Sequence, residues 1–144
     1  MRIEKSVEIR ASPEKVRAVL EDVEGWPKWQ PGMKKVSKIT PGPLRQGSRV
    51  RIKFSVGFLT MTSTKEYVLT PGGAMVFRGL GFPPGVSQTF RLEPVNARTN
   101  VAVVDEEPGW YARPLRGTLE RLNQSALQAL KKRVESHKVR RRIR

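Results

Sequence analysis

The stretch VEIRASPEKVRAVLEDVEGWPKWQPGMKKV, residues 7–36, changes its hydrophobic period twice. Its first residues complete an alternating run over Met1–Arg10. Ile3, Val7 and Ile9 share one face with Lys5, and Arg2, Glu4, Ser6, Glu8 and Arg10 take the other, as in a half-buried strand. ASPEK then carries helix-start signals: Ser12 as N-cap, Pro13 at the first helical position and Glu14 in the first turn. Val16, Val19, Leu20 and Val23 follow at spacings of three and four, which gives one apolar helix stripe. Gly25 is expected to stop the helix, and Pro27 and Pro31 leave room for one further turn at most. Trp26 and Trp29 fall in that corner. A single turn puts both on one side, so they read as apolar wedges closing one end of the fold, with Trp29 the better placed to reach an interior wall.

Downstream of this corner the period stays near two. Met33–Ile39 is a weak strand candidate. In SRVRIKFSV, residues 48–56, Val50, Ile52, Phe54 and Val56 alternate with Arg49, Arg51, Lys53 and Ser55. Leu59–Leu69 is rich in threonine and β-branched residues. The parity expected to face inward is Leu59, Met61, Ser63, Lys65, Tyr67 and Leu69. TPGG at 70–73 marks a turn, Ala74–Arg78 a short strand and GLGFPPG at 79–85 a loop. Val86–Glu93 and Thr99–Glu107 are two further strands joined by PVNAR. A long helix is expected from about Pro114 to Val139, where Leu115, Leu119, Leu122, Ala126, Leu130 and Val134 form a stripe widened by Leu127.

Consecutive strands with short connections make an antiparallel meander. A sheet with one apolar face needs a cover, and the C-terminal helix supplies it. The expected fold is therefore α+β, with about seven curved antiparallel strands around a long C-terminal helix and two short helices between the first two strands. A curved sheet over a single helix commonly leaves a cavity in which a ligand can sit.

The composition narrows the function classes. The chain has 144 residues, no cysteine and a formal net charge of +15. Disulfide and thiol chemistry are excluded, no apolar run approaches a membrane span, and the charged first residues lack a signal-peptide core, so a cytoplasmic location is expected. Residues 111–144 hold 11 Lys/Arg against two acids. Residues 1–137 are read as one domain and residues 138–144 as a basic tail, whose Arg140, Arg141, Arg142 and Arg144 could meet an anionic membrane surface. No aromatic residue interleaves with these arginines, so phosphate contact without sequence readout is the most such a tail offers a nucleic acid. The bland reading is a solvated helix end. An apolar helix stripe also leaves open whether the chain is a monomer or a homodimer.

Catalytic constellations are sparse. The sole histidine, His137, lies in the basic C-terminal run, and no Ser/His/Asp set or metal-ligand cluster is present, so no metal or cofactor is expected. Asp105 shares parity with Val101 and Val103 and could face inward, although DEEPGWY, residues 105–111, also reads as a solvated strand end. Gln88 shares parity with Phe90 and Leu92. Gln88, Tyr67 and Asp105 are the weak catalytic candidates, and Lys65, Tyr111 and Arg113 are further possible donors. Nothing in their spacing assembles them, so the chain reads more as a binding protein than an enzyme.

The opening stretch resembles the start of the START-like, polyketide cyclase/dehydrase and lipid-transport (SRPBCC) superfamily: a strand, then S-P-E-x-V, then a W-P-x-W-x-P corner. GSRVRIKF (47–54), TFRLEPVNARTNVAV (89–103) and LQALKKRVES (127–136) extend the likeness over nearly the whole chain. The resemblance implies a helix-grip fold, a seven-stranded sheet gripping the C-terminal helix around a hydrophobic cavity. It implies binding or transport of a lipid, quinone, polyketide or similar molecule, with a cyclase or dehydratase on the same cavity as the alternative. The cavity wall is then expected at Trp29, Ile52, Phe54, Met61, Phe77, Gln88, Phe90, Leu92, Val101, Val103, Leu119, Leu122 and Ala126, along with Val50 and Leu130. The loop at 79–85 and Trp110–Tyr111 are expected at its mouth.

Overall fold

Alternation in the sequence becomes seven antiparallel strands in the computed structural model, which describes residues 1–81 and 85–143, with the backbone alone at Tyr111 and 137–143. The strands are β1 (Arg2–Ile9), β2 (Met33–Lys38), β3 (Arg49–Val56), β4 (Leu59–Leu69), β5 (Met75–Leu80), β6 (Ser87–Val95) and β7 (Arg98–Glu106). They form one curled sheet in the order β1-β7-β6-β5-β4-β3-β2. Six strands thus follow as a meander, and β1 pairs antiparallel with β7, Arg2 opposite Glu106 and Ile9 opposite Thr99. The helix-grip arrangement expected from the sequence is the one observed.

Helix α1 (Pro13–Glu21) starts as its sequence dictates: the Lys15 backbone N–H donates to Ser12 Oγ, and Pro13 occupies the first turn. Its end departs from expectation. The α-helix closes at Glu21 with Asp22 as cap, and Gly25 lies inside a 3-10 turn spanning Val23–Lys28. The tighter turn lets Val23 and Trp26 both bury while accommodating Pro27. Gly32 then feeds β2 with φ +77°, and a Cβ there would approach the Ser55 carbonyl oxygen to 2.9 Å. Only glycine fits that combination of left-handed backbone and close approach.

The C-terminal helical region begins earlier than Pro114. A short helix α2 (Gly109–Ala112) and a 3-10 turn (Arg113–Leu115) lead into α3 (Arg116–Ile143). Its stripe divides into two parts. Leu127, Leu130 and Val134 are fully buried and join Ile9, Ala11, Val16, Leu20, Val101 and Val103 in the core. Leu119, Leu122 and Ala126, nearer the start of α3, border open space instead. Ion pairs fasten α3 at the surface to β1 and to the residue that follows it: Lys5 with Glu120 at 3.5 Å and Arg10 with Glu135 at 4.0 Å. Such exposed pairs each contribute under about 1 kcal/mol, so apolar packing holds the grip.

Candidate functional site

The space between the sheet and the first half of α3 is a cavity of about 130 Å³. Strand parity supplies its wall. Ile52 and Phe54 project inward from β3, Phe77 from β5, and Leu119, Leu122 and Ala126 face them from α3. Trp26 closes the corner. Its ring meets Phe77 edge-on at 5.0 Å and Phe90 at 6.4 Å, and its Nε1–H donates to the Leu20 carbonyl at 3.0 Å. Gly32, Ser55, Val56, Val86 and Ser87 also border the cavity, at the end of the sheet where the β3–β4 and β5–β6 connections turn.

Polar groups gather on one part of this wall. Asp105 stands opposite Gln88 in the β6–β7 register, and both line the cavity with Lys65 and Glu107. From α3, the Asn123 Nδ2–H donates to Asp105 Oδ2 at 2.8 Å. Burial pushes the Asp105 carboxyl above the usual aspartate range, and hydrogen bonding from Asn123 and Gln88 and the Lys65 charge oppose this only in part. Glu107 is likewise raised, by burial and by the neighbouring Asp105. Lys65 is lowered by burial against the pull of both carboxylates. All three groups are therefore displaced toward their neutral forms. A polar cluster of this kind can orient a ligand by hydrogen bonds, and groups shifted in this way are suited to proton exchange.

The expected wall residues separate on inspection. Ile52, Phe54, Phe77, Gln88, Leu119, Leu122 and Ala126 border the main cavity. Trp29, Phe90 and Val103 border a smaller void of about 10 Å³ beside Leu127 and Leu130, with Gln88 and Ala126 shared between the two. Trp26 thus takes the cavity-facing place expected of Trp29. Leu92 and Val101 pack within or against the core, as does Val50, because α1 and the second half of α3 cover that part of the sheet. Met61 is 40% exposed: β4 carries it toward the β3–β4 turn, past the helix that would bury it. Tyr67 is buried against Phe77, and burial pushes its hydroxyl above the usual tyrosine range, with Glu21 adding to this and Arg17 opposing it on the α1 side. Tyr67 does not border the cavity.

Asp105 and Glu107 occupy the inner face that the solvated-strand-end reading denied them. Lys65 was flagged by parity alone. Asn123 and Gln30 were missed. The signal for Asn123 was present, since it stands four residues from both Leu119 and Leu127 and so lies within the apolar stripe. At the expected mouth, Trp110 is 72% exposed and Leu80 half-buried, while Phe82 lies outside the described residues, as do the side chains of Tyr111, His137, Arg140, Arg141 and Arg142 and the whole of Arg144. Among the described residues, no helix is long and apolar enough to cross a membrane.

Comparison with known proteins agrees with this architecture. The aromatase/cyclase Zhui from Streptomyces sp. R1128 superposes with a TM-score of 0.78 at 25% identity, covering 100% of this chain and 96% of its own. A START superfamily protein from Mycobacterium smegmatis gives 0.80 at 19% identity, over 94% and 97% of the two chains. A STAR-related lipid transfer protein from Xanthomonas axonopodis gives 0.64 at 15% identity, over 92% and 84%. At the last two identities the likeness is one of fold. No curated protein matches the chain in sequence. The profile of the family described as polyketide cyclase / dehydrase and lipid transport matches residues 1–135, and the chain belongs to that family.

Proposed function

We propose that this protein binds a hydrophobic small molecule between the sheet and the first half of α3. The observation that carries the reading is the cavity of about 130 Å³, walled by Trp26, Ile52, Phe54, Phe77 and Leu122, with charged and amide groups grouped on one part of it. That combination of an apolar wall and a few convergent polar groups is the usual form of a small-molecule site. The family's description, and a relative described as an aromatase/cyclase, support the same reading. An apolar cavity near 150 Å³ accommodates a benzene-sized ring, so the enclosed part of the ligand is of that order and the rest extends toward the mouth.

Filling the cavity tests this directly. Ala126→Phe projects a ring from α3 into the space. The purified protein and the variant would be compared by native mass spectrometry, for a co-purified molecule, and by thermal shift against lipid, quinone and polyketide panels. The expected outcome is a ligand on the parent chain and none on a variant that still melts cooperatively. A parent chain that carries nothing and responds to nothing refutes the proposal.

A second reading, cyclase-type catalysis, is favoured by Asp105 and Lys65 together. In its ionised form, Asp105 is made more basic by its raised pKa and can take a proton from carbon beside a carbonyl, becoming the neutral acid, while a protonated Lys65 can stabilise the enolate that forms. The two readings part on Asp105→Asn, which would abolish turnover of a cyclisable substrate even at concentrations that saturate the variant.

A further inference from the structure

Among the described residues, four buried side-chain polar atoms lack a hydrogen-bond partner: Gln30 Oε1, Tyr67 OH, Asp105 Oδ1 and Glu107 Oε2. Three of these belong to residues that border the main cavity: one is an amide carbonyl oxygen and two are carboxyl oxygens, which only accept while their groups are ionised. Gln88 and Asn123 both act on Asp105, yet no donor meets these three oxygens within hydrogen-bond geometry. Asn123 Nδ2 is committed to the other oxygen of Asp105. Lys65 feels both carboxylates through space but forms no ion pair among the described residues. A buried acceptor without a partner costs about 1–3 kcal/mol, so this wall gains most from a ligand that brings donors.

We propose that the polar part of the cavity selects ligands presenting a hydroxyl or amino donor from an apolar ring, and discriminates against ligands whose polar group is a carboxylate, phosphate or acceptor-only oxygen. The inference rests on the small-molecule reading above and names the ligand chemistry within it. A carboxylate ligand brings further acceptors to a wall whose Asp105 and Glu107 oxygens already lack donors. A site built around unpaired hydrogen-bonding groups rejects an analogue lacking the matching group far more strongly than an apolar wall rejects a missing methylene.

Three probes of one skeleton separate the possibilities: 4-propylphenol, its methyl ether and 4-propylbenzoate, each titrated calorimetrically into the full chain at pH 7. The phenol is expected to bind at least tenfold more tightly than the ether, and the benzoate more weakly than either. The double variant Asp105→Asn, Glu107→Gln replaces one acceptor oxygen of each side chain with an amide donor and should narrow the phenol-to-ether ratio at least threefold, with a thermal melt confirming that it folds. If the ether or the benzoate binds as tightly as the phenol, the donor preference is wrong while the small-molecule reading stands. If none of the three binds the parent chain, both fall together.

Discussion

Asp105 is fixed on the inner face of β7 by its register opposite Gln88, with Oδ2 bonded to Asn123 and Oδ1 left without a partner. Its raised pKa has a definite consequence for stability. The unfolded chain releases this proton near the ordinary aspartate value of 3.8, and the folded chain holds it to higher pH. Stability is therefore unpenalised below about pH 4 and declines as pH rises through the folded-state value, and Glu107 acts in the same direction. Asp105→Asn keeps an oxygen for Asn123 and replaces the unpartnered one with an amide nitrogen. It is expected to stabilise the empty protein by about 1 kcal/mol at pH 7 and by nothing at pH 3.5, as read from urea midpoints at the two pH values. Trp26 shows the opposite kind of dependence. Trp26→Ala removes a fully buried ring from contact with Phe77 and Phe90 and should cost about 3–5 kcal/mol, whereas Trp26→Phe keeps part of the packing and leaves the Leu20 carbonyl without its indole donor. At this scale the sequence was only partly legible. Alternation allowed Asp105 either face, since three acids before a Pro-Gly turn fit a solvated edge equally well. The depth of the wall decides the matter, and it depends on where α3 lies.

Elements were more legible than single residues because their signals are local. Strand β3 and the start of α1 follow from alternation and capping chemistry that no tertiary contact needs to override. Ser12→Ala should lower stability by roughly 0.5–1 kcal/mol through the Lys15 N–H alone, a change that a denaturant midpoint resolves. The parity assigned to β4 is also the one seen, since Lys65 pairs with Val50, Ser63 with Ile52 and Met61 with Phe54 on a single face. Periodicity could not reveal how far the covering helix reaches. Leu59 and Met61 keep the inward parity and still meet solvent, and Phe58, in the turn between β3 and β4, is 96% exposed. Phe58→Ser is accordingly expected to shift stability by less than about 0.5 kcal/mol, in contrast to the same substitution at Phe77. The divided stripe of α3 follows the same logic. Seven-residue spacing identifies a face, but whether Leu122 packs or borders a cavity depends on the curl of the sheet beneath it.

Charge and topology belong to the whole molecule. The formal net charge of +15 is not confined to the C-terminal run: Arg49, Arg51 and Lys53 line the outer face of β3, and Lys35 stands directly opposite Lys53 across the β2–β3 ladder. Deleting residues 138–144 should therefore weaken retention on a heparin column without abolishing it, the elution salt falling but staying well above that of a neutral protein. Topology carries a different consequence. Strands β2 to β7 each pair with a sequence neighbour, but β1 finds its partner only in β7, with Ile9 paired to Thr99 although the five strands β2 to β6 separate them in sequence, and α3 comes later still. During synthesis the first strand and its helix thus leave the ribosome long before anything exists for them to join. The meander can zip hairpin by hairpin, while β1 waits as an unpaired edge and the inner face lacks its lid. A chain of which only residues 1–97 have emerged could have made most of its sheet and closed none of its core.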